Sequence, residues 1–180
     1  MKIGIKIFIL ILAVGLFSCK SSIQEEQIDK QTSEYDFSKN EKIRLSKFNG
    51  PIVSDFDSLF TRSQTIELAE LIIKYDIETT RQIAVVTIGS IEPYSDIIKF
   101  ATDLGRYWEI GTADKDNGLV IVVCNPCKQI GIATGTGTEL ILTDQICKTV
   151  IDNTIVPEFN EGNYYDGIEK GVRELMEKWN

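Results

Sequence analysis

The chain contains no histidine among its 180 residues, and this absence excludes several kinds of active site. A phosphohistidine mechanism is impossible, and zinc loses one of its two most common protein ligands. Basic residues are also scarce, because 19 Lys and Arg stand against 27 Asp and Glu for a net charge of -8. A nucleic-acid-binding surface needs a basic patch, so we expect no nucleic-acid partner.

No apolar run in the sequence reaches the roughly 18 residues that suggest a membrane-spanning helix. The longest, Ile7–Phe17, follows Lys2 and Lys6 and is typical of an export signal. It ends in Leu-Phe-Ser-Cys19, which resembles a bacterial lipobox, so Cys19 is predicted to be lipidated. An ordinary secretory signal is the alternative. We therefore expect residues 1–18 to be a lipoprotein signal peptide and the mature protein to be lipid-anchored in the bacterial cell envelope, facing the periplasm or exterior.

Cysteine is limited to four residues, of which Cys124 and Cys127 form a Cys-x-x-Cys motif. The motif follows a predicted strand and brackets a turn, whereas catalytic redox motifs sit at a helix N-terminus that stabilises the thiolate. We therefore do not expect redox catalysis. Two interpretations stay open, namely buried thiols or a local disulfide across the turn in an oxidising compartment.

Polar, aperiodic sequence over residues 19–47 predicts a flexible tether, with a partly helical arm packed on the domain as the alternative. The folded domain is predicted to span residues 48–180. Thr61 and Gln64 form the pattern of a capping box, which predicts a helix to about Thr79. Its predicted broad apolar face consists of Ile66, Leu68, Ala69, Leu71, Ile72 and Tyr75.

Buried strands are predicted at Gln82–Ile88 and Leu119–Val123, and Asn-Pro at position 125 predicts a hairpin turn to a third strand. Ser95 and Asp144 are expected to cap two further helices, and a last helix is predicted from Tyr164. This order of elements indicates an α/β sandwich with a mixed sheet that contains one β-hairpin.

Acidic residues flank both strands of the predicted hairpin. If the hairpin closes, Asp114 and Asp116 before its first strand come near Glu139 and Asp144 after its second. Converging carboxylates repel one another unless a cation lies between them, and calcium takes several carboxylate and carbonyl oxygens. The sequence after Asp114 is not an EF-hand, because its glycine falls one place early and its twelfth position is Asn125.

We therefore predict a site for calcium, or another divalent cation such as magnesium, that is assembled from separate loops. Its candidate ligands are Asp55, Asp57, Asp114, Asp116, Asn117, Glu139 and Asp144. The alternative is that these residues are helix caps and solvated turns.

Six segments follow one another along the chain: Val-Ser-Asp55, Gln82–Ile88, Trp-Glu-Ile-Gly111, Asp116–Val123, Gly-Thr-Gly-Thr-Glu139 with Leu-Thr-Asp144, and Val-Pro-Glu-Phe-Asn-Glu-Gly-Asn-Tyr164 with Gly167. Taken in this order, they resemble the TPM domain family. The resemblance implies a Rossmann-like α/β/α sandwich. It also implies membrane tethering, divalent-cation binding in some members and weak acid phosphatase activity in others. Thr136 departs from the pattern, because the family usually has an aromatic residue inside this Gly-x-Gly turn.

Three functions follow from these observations. The first is a membrane-anchored, calcium-binding TPM domain that modulates or protects a membrane-associated protein. The second is a metal-dependent phosphomonoesterase, in which Lys115 or Arg106 would hold a phosphate oxygen and a metal-activated water would be the nucleophile. The third is a structural envelope lipoprotein without a ligand.

Overall fold

A computed structural model describes residues 35–44 and 52–180, so the predicted signal peptide and the predicted lipidation site Cys19 lie outside the described residues. Its sheet has four strands in the order β1-β2-β3-β4. The first three strands are parallel and β4 pairs antiparallel with β3, forming the predicted hairpin. The strands are β1 (Val53–Asp55), β2 (Gln82–Thr87), β3 (Gly118–Cys124) and β4 (Gln129–Thr134).

Helices cover both faces of this sheet. Their bounds are α1 (Arg62–Thr79), α2 (Ile97–Trp108), the single-turn α3 (Thr136–Glu139), α4 (Asp144–Val150), a π-helical segment (Ile151–Ile155), α5 (Val156–Asn160) and α6 (Tyr164–Lys178). Alternate residues of the central strands point to opposite faces. Val85 and Ile121 pack with α1, α4 and α6, whereas Val86 and Val122 pack with α2. The predicted α/β/α sandwich with a mixed sheet is confirmed.

The two helical crossovers have opposite hand. The steps β1 to β2 and β2 to β3 run in the same direction across the sheet, yet α1 and α2 lie on opposite faces. The handedness of a crossover depends on the direction of the step across the sheet and on the face that its helix covers. One of these two crossovers is therefore left-handed and departs from the usual right-handed form. As a result α2 packs on β3 and β4 away from the larger helical layer, where it forms one wall of the candidate site.

Residues 35–44, predicted to belong to the tether, pack on the domain. Phe37 and Ile43 are buried in the core on the α2 side of the sheet. The indole N–H of Trp108 donates a 3.0 Å hydrogen bond to the carbonyl of Ile43. The alternative of a helical arm is therefore correct for this part of the segment, and the predicted domain boundary at residue 48 falls too late.

Several helix ends differ locally from prediction. The capping box of Thr61 and Gln64 is present, but Asp96 caps α2 in place of Ser95, and Thr143 caps α4 in place of Asp144. Aspartate at position 96 reaches two free amides of the first turn, and Thr143 reaches the amide of Ile146. The Gly-rich loop after β4 forms the turn α3, and the helical path from α4 continues through the π-helical segment and Pro157 to Asn160.

Candidate functional site

The seven predicted metal ligands lie at opposite ends of the sheet. Because β1 and β2 are parallel, Asp55 at the end of β1 is level with Thr87 at the end of β2. Asp116 instead precedes β3, whose first residue Gly118 is level with Gln82 at the start of β2. The expectation that Asp55 shares an edge with the acidic loop is therefore wrong, because parallel pairing separates the two positions by the length of the sheet.

Asp55 holds the loop that connects β1 to α1. Its two carboxylate oxygens accept hydrogen bonds of 3.0 Å from the amide of Leu59 and 2.9 Å from that of Phe60. The hydroxyl of Thr87 also donates to Asp55, and accepts a 3.1 Å bond from the amide of Asp57. Both oxygens thus have structural partners, so the geometry accounts for Asp55 as a loop anchor.

Asn117 holds the acidic loop against the end of α1. Its side-chain oxygen accepts from both the amide and the hydroxyl of Thr112, at 2.9 and 3.0 Å. Its side-chain nitrogen donates a 2.7 Å bond to the carbonyl of Thr80. Asn117 is buried and its oxygen is fully used. It therefore orders the loop and has no free oxygen to offer a cation.

Asp116 joins the acidic loop to the Gly-rich turn after β4. Its Oδ2 accepts a 2.9 Å bond from the amide of Thr136, and its carbonyl accepts a 3.1 Å bond from the amide of Gly137. The hydroxyl and then the amide of Thr136 hold the pKa of Asp116 below its usual value, and the positive charge of Arg106 acts in the same direction. Asp116 is therefore an ionised, solvent-exposed carboxylate in an ordered backbone.

Two glycines allow this close approach of the loops. A Cβ atom at Gly137 would lie 1.9 Å from the carbonyl oxygen of Lys115, and one at Gly135 would lie 2.3 Å from that of Asp116. Real Cβ contacts are essentially never this short. The prediction that the hairpin brings the two loops together is confirmed for this pair of segments.

The remaining candidates do not complete a cage of carboxylates. Asp114, Glu139 and Asp144 are exposed, and the side chain of Thr112 lowers the pKa of Asp114 by hydrogen bonding. Within residues 35–44 and 52–180, no three His, Cys, Asp or Glu side chains form a group able to hold a metal. Calcium takes six to eight oxygens, so the predicted seven-residue cage does not fit this geometry.

A pocket of about 550 Å³ opens beside Asp116, between α2 and the hairpin. Small residues line its apolar part, including Ala101 and Gly105 of α2 and Ala133 of β4. Arg106 and Asp116 supply opposite charges to its lining. The pocket therefore presents one cationic and one anionic side chain to a ligand.

Sequence reasoning missed most of this pocket. Thr112 was not recognised, and Thr136 was noted only as a departure from the family pattern. Arg106 was named as a possible phosphate-binding residue, and it does line the pocket. An available signal was the spacing of Ala101 and Gly105, which places two minimal side chains on one face of α2.

The open question about the cysteines has an answer in the structure. Cys124 and Cys127 form a disulfide across the hairpin turn, with their Cα atoms 5.2 Å apart. Cys147 is a buried free thiol. Burial, and secondarily the charge of Asp144, raises the pKa of Cys147 to about 11.

A sequence profile of the TPM domain matches residues 53–178. The chain belongs to the TPM domain family. The match begins at β1 and ends with α6, so it covers the whole sandwich, the acidic loop and the Gly-rich turn of this TPM domain.

Solved structures share the fold of this TPM domain. The N-terminal domain of a P. gingivalis protein has a TM-score of 0.67 and 25% identity, and the match covers 80% of this chain and 90% of that domain. The protein BA42 from the psychrophilic bacteria Bizionia argentinensis has a TM-score of 0.59 and 19% identity, covering 69% and 83%. The N-terminal domain of the cg2496 protein from Corynebacterium glutamicum has a TM-score of 0.57 and 15% identity, covering 74% and 82%.

No curated protein matches this TPM domain. Among the residues that the structure describes, no helix is both long and apolar enough to cross a membrane. The predicted lipid attachment at Cys19 lies outside the described residues and stays a prediction.

Proposed function

We propose that this chain is a lipid-anchored TPM domain that binds a divalent cation at Asp116 and modulates or protects a membrane-associated protein of the bacterial cell envelope. The candidate ions are calcium, which the sequence predicts, and magnesium, whose usual coordination by one or two carboxylates requires fewer protein ligands. The observation that carries the proposal is the setting of Asp116, an exposed carboxylate kept ionised and fixed by Thr136 beside a pocket.

The number of available carboxylates indicates what kind of cation site this is. With Asp116 as the carboxylate ligand, most of the other ligands must be water, backbone carbonyls or groups from a bound partner. Magnesium typically binds through one or two carboxylates together with waters and phosphates, whereas tight calcium sites use more protein oxygens. We therefore expect weak affinity for the free ion, and tighter binding when the partner supplies further oxygens.

Binding of a cation to the folded chain can be measured as a rise in its thermal stability. An ion that binds only the folded form stabilises it by about 2.7 kcal/mol at a hundred times its dissociation constant. We expect millimolar calcium or magnesium to raise the melting temperature and EDTA to reverse the rise. Asp116→Asn should abolish most of the shift. Asp152→Asn is the matched control, because Asp152 is an exposed carboxylate paired with Lys148.

Sodium chloride at equal ionic strength separates binding from screening, since screening of a chain at net charge -8 does not depend on one carboxylate. Sodium stabilising as much as the divalent ion, or Asp116→Asn responding like the unaltered protein, would refute the site.

The anchor has an independent test in the envelope. Expressed in a bacterium, the unaltered chain should partition into detergent, and Cys19→Ser should not. Equal partitioning of the two would remove the lipid anchor from the proposal, and with it the expected membrane partner.

Arg106 supports a second candidate function, a metal-dependent phosphomonoesterase. The guanidinium lies in the same pocket as Asp116 and is close enough for its charge to lower that group's pKa. A bound divalent ion would supply a polarised phosphate and an activated water. Hydrolysis of p-nitrophenyl phosphate should then require magnesium, calcium or manganese, and Arg106→Ala and Asp116→Asn should each reduce it. Release that is independent of metal, or unchanged in both variants, would exclude this activity.

A further inference from the structure

Helix α1 is apolar on two opposite faces. Leu68, Ile72 and Tyr75 are buried against the sheet and α6. Three other isoleucines of the helix, which include the predicted core residue Ile66, face solvent: Ile66, Ile73 and Ile77 are 48, 43 and 77% exposed. At roughly 100° per residue these three fall within about 40° of one another, opposite the buried face.

This exposed stripe has the spacing of a coiled-coil seam. Ile66, Glu70, Ile73 and Ile77 follow one another at intervals of four, three and four residues, as core positions of a heptad do. Three of the six large exposed apolar side chains in the described part of the chain lie on this one stripe. This second apolar stripe, opposite the buried face, is a surface that a partner helix can cover.

The charges on α1 favour a second copy of the helix that runs in the antiparallel direction. If two copies of α1 paired in parallel, Glu70 would face Glu70 of the second copy in the seam, and like charges there repel. In the antiparallel arrangement Ile66 faces Ile77 of the second copy and Glu70 lies beside Ile73, so the two Glu70 side chains occupy adjacent layers of the seam instead of the same layer and repel less strongly. Lys74, which flanks the seam, then faces Glu67 of the second copy, because flanking positions of the same heptad class meet in antiparallel pairs.

Neither Lys74 nor Glu67 has a strong competing contact within its own chain. Lys74 lies 3.9 Å from Glu78, with both side chains more than half exposed. Glu67 accepts a 3.4 Å hydrogen bond from the hydroxyl of Tyr165. Exposed pairs of this kind contribute little, so both groups can turn to a second copy.

We propose that α1 is the interface of a symmetric dimer, in which it packs antiparallel against α1 of a second copy of this chain. The seam spans less than three heptads and buries less surface than a standard stable interface. The dimer is therefore weak in dilute solution and forms where the local concentration is high. This proposal does not depend on the cation site.

Photo-crosslinking of the full chain in bacterial cells tests the interface. A benzophenone amino acid at position 73 should give a product of twice the monomer mass on illumination. The same probe at position 98 is the control, because Ile98 is 54% exposed on α2, away from the stripe. No product at position 73, a product of any other mass, or equal dimer from position 98 would overturn the proposal.

Charge exchange tests the antiparallel register. With the probe at position 73, Lys74→Glu and Glu67→Lys should each reduce the dimer product at least threefold, because each places like charges face to face. The double variant restores opposite charges and should recover most of the product. A double variant that stays as low as the single ones would overturn the arrangement, since loss of folding is checked separately by the melting temperature of each variant.

Discussion

Asp55 accepts hydrogen bonds on both carboxylate oxygens from the loop that follows it. We expect Asp55→Ala to lower the free energy of unfolding by about 1–3 kcal/mol, because two amides and the hydroxyl of Thr87 lose their acceptor. Urea unfolding measures the loss. Glu139→Ala is the control, since Glu139 is exposed. Similar losses in the two variants would mean that the hydrogen bonds of Asp55 contribute little to folding.

The buried thiol of Cys147 predicts a specific dependence on alkaline pH. Its pKa is raised from the ordinary 9.0 to about 11, mainly by burial. The unfolded chain therefore releases this proton first, so the stability that the neutral thiol contributes is complete below pH 9 and is lost as the pH rises to about 11. Burial also raises the pKa of Tyr165, so its ionisation is a second contribution to the alkaline pH dependence.

A comparison with Cys147→Ala isolates the thiol from Tyr165. The difference in unfolding free energy between the unaltered protein and the variant should be constant below pH 9 and should shift in favour of the variant from pH 9 to 11. A difference that does not change with pH would show that Cys147 ionises equally easily in both states.

The residue types in the sequence predicted the position of the candidate site. They did not predict the hydrogen-bond partners of its side chains. The acidic loop and the Gly-rich turn do meet, because hairpin closure follows from the strand pattern alone. Asn117 is a loop-ordering residue because Thr112 and Thr80 are placed by tertiary contacts of the loop and α1. Asp55 was misplaced because its position relative to Asp116 depends on strand direction, which is not visible in composition or spacing.

At the scale of elements, Gly137 controls how closely the Gly-rich turn approaches the acidic loop. Gly137→Ala would put a Cβ atom 1.9 Å from the carbonyl oxygen of Lys115, a backbone atom that cannot rotate away. We expect a loss of about 1–3 kcal/mol in unfolding free energy, as for other overpacked sites, and a smaller stabilisation by divalent cations because Asp116 is displaced. Differential scanning fluorimetry with and without magnesium measures both effects.

Gly89→Ala is the control for this substitution. A Cβ atom there would lie 3.4 Å from a side-chain oxygen of Asp57, at the limit of ordinary contact. It should leave the melting temperature and the response to cations nearly unchanged. If Gly137→Ala is as mild as this control, the two loops are not packed as tightly as the geometry requires.

Elements with strong local signals were predicted well. The capping box of Thr61 defines the start of α1, and continuous apolar runs identified β2 and β3 to within about one residue at each end. Prediction failed for the outer face of α1, where periodicity assigned Ile66 to the core. The helix carries isoleucines on opposite faces, so an apolar residue count cannot tell which of them meets the sheet.

At the scale of the whole molecule, the folded unit begins before residue 48. The described residues from Tyr35 to Asn180 form one compact unit. Phe37 lies edge-on to Phe100, with ring centroids 5.5 Å apart, and stacks with Tyr107 at 5.6 Å. The segment therefore completes the core that covers the α2 side of the sheet, where α2 is the main helix.

This packing predicts how truncated chains behave. A chain that begins at residue 35 should unfold at nearly the same temperature as one with the longer N-terminus, whereas a chain that begins at residue 48 should be less stable by several kcal/mol. The shorter chain loses the buried side chains of Phe37 and Ile43. Burying a large apolar side chain contributes about 1.5–3 kcal/mol. Removal also leaves the indole N–H of Trp108 without the carbonyl of Ile43.

Point variants distinguish lost packing from a general effect of shortening the chain. Phe37→Ala in the full chain should cost about 3–5 kcal/mol, as other large-to-small core substitutions do. Lys39→Ala is the matched control two residues away, because the Lys39 side chain is 82% exposed and its contact with Asp36 is a surface ion pair. Chains that begin at residues 35 and 48 could prove equally stable, and the two point variants could melt at the same temperature. Together these results would show that residues 35–44 belong to the tether and not to the core. A cost at Phe37 alone would instead show that this segment is the first core element of the domain.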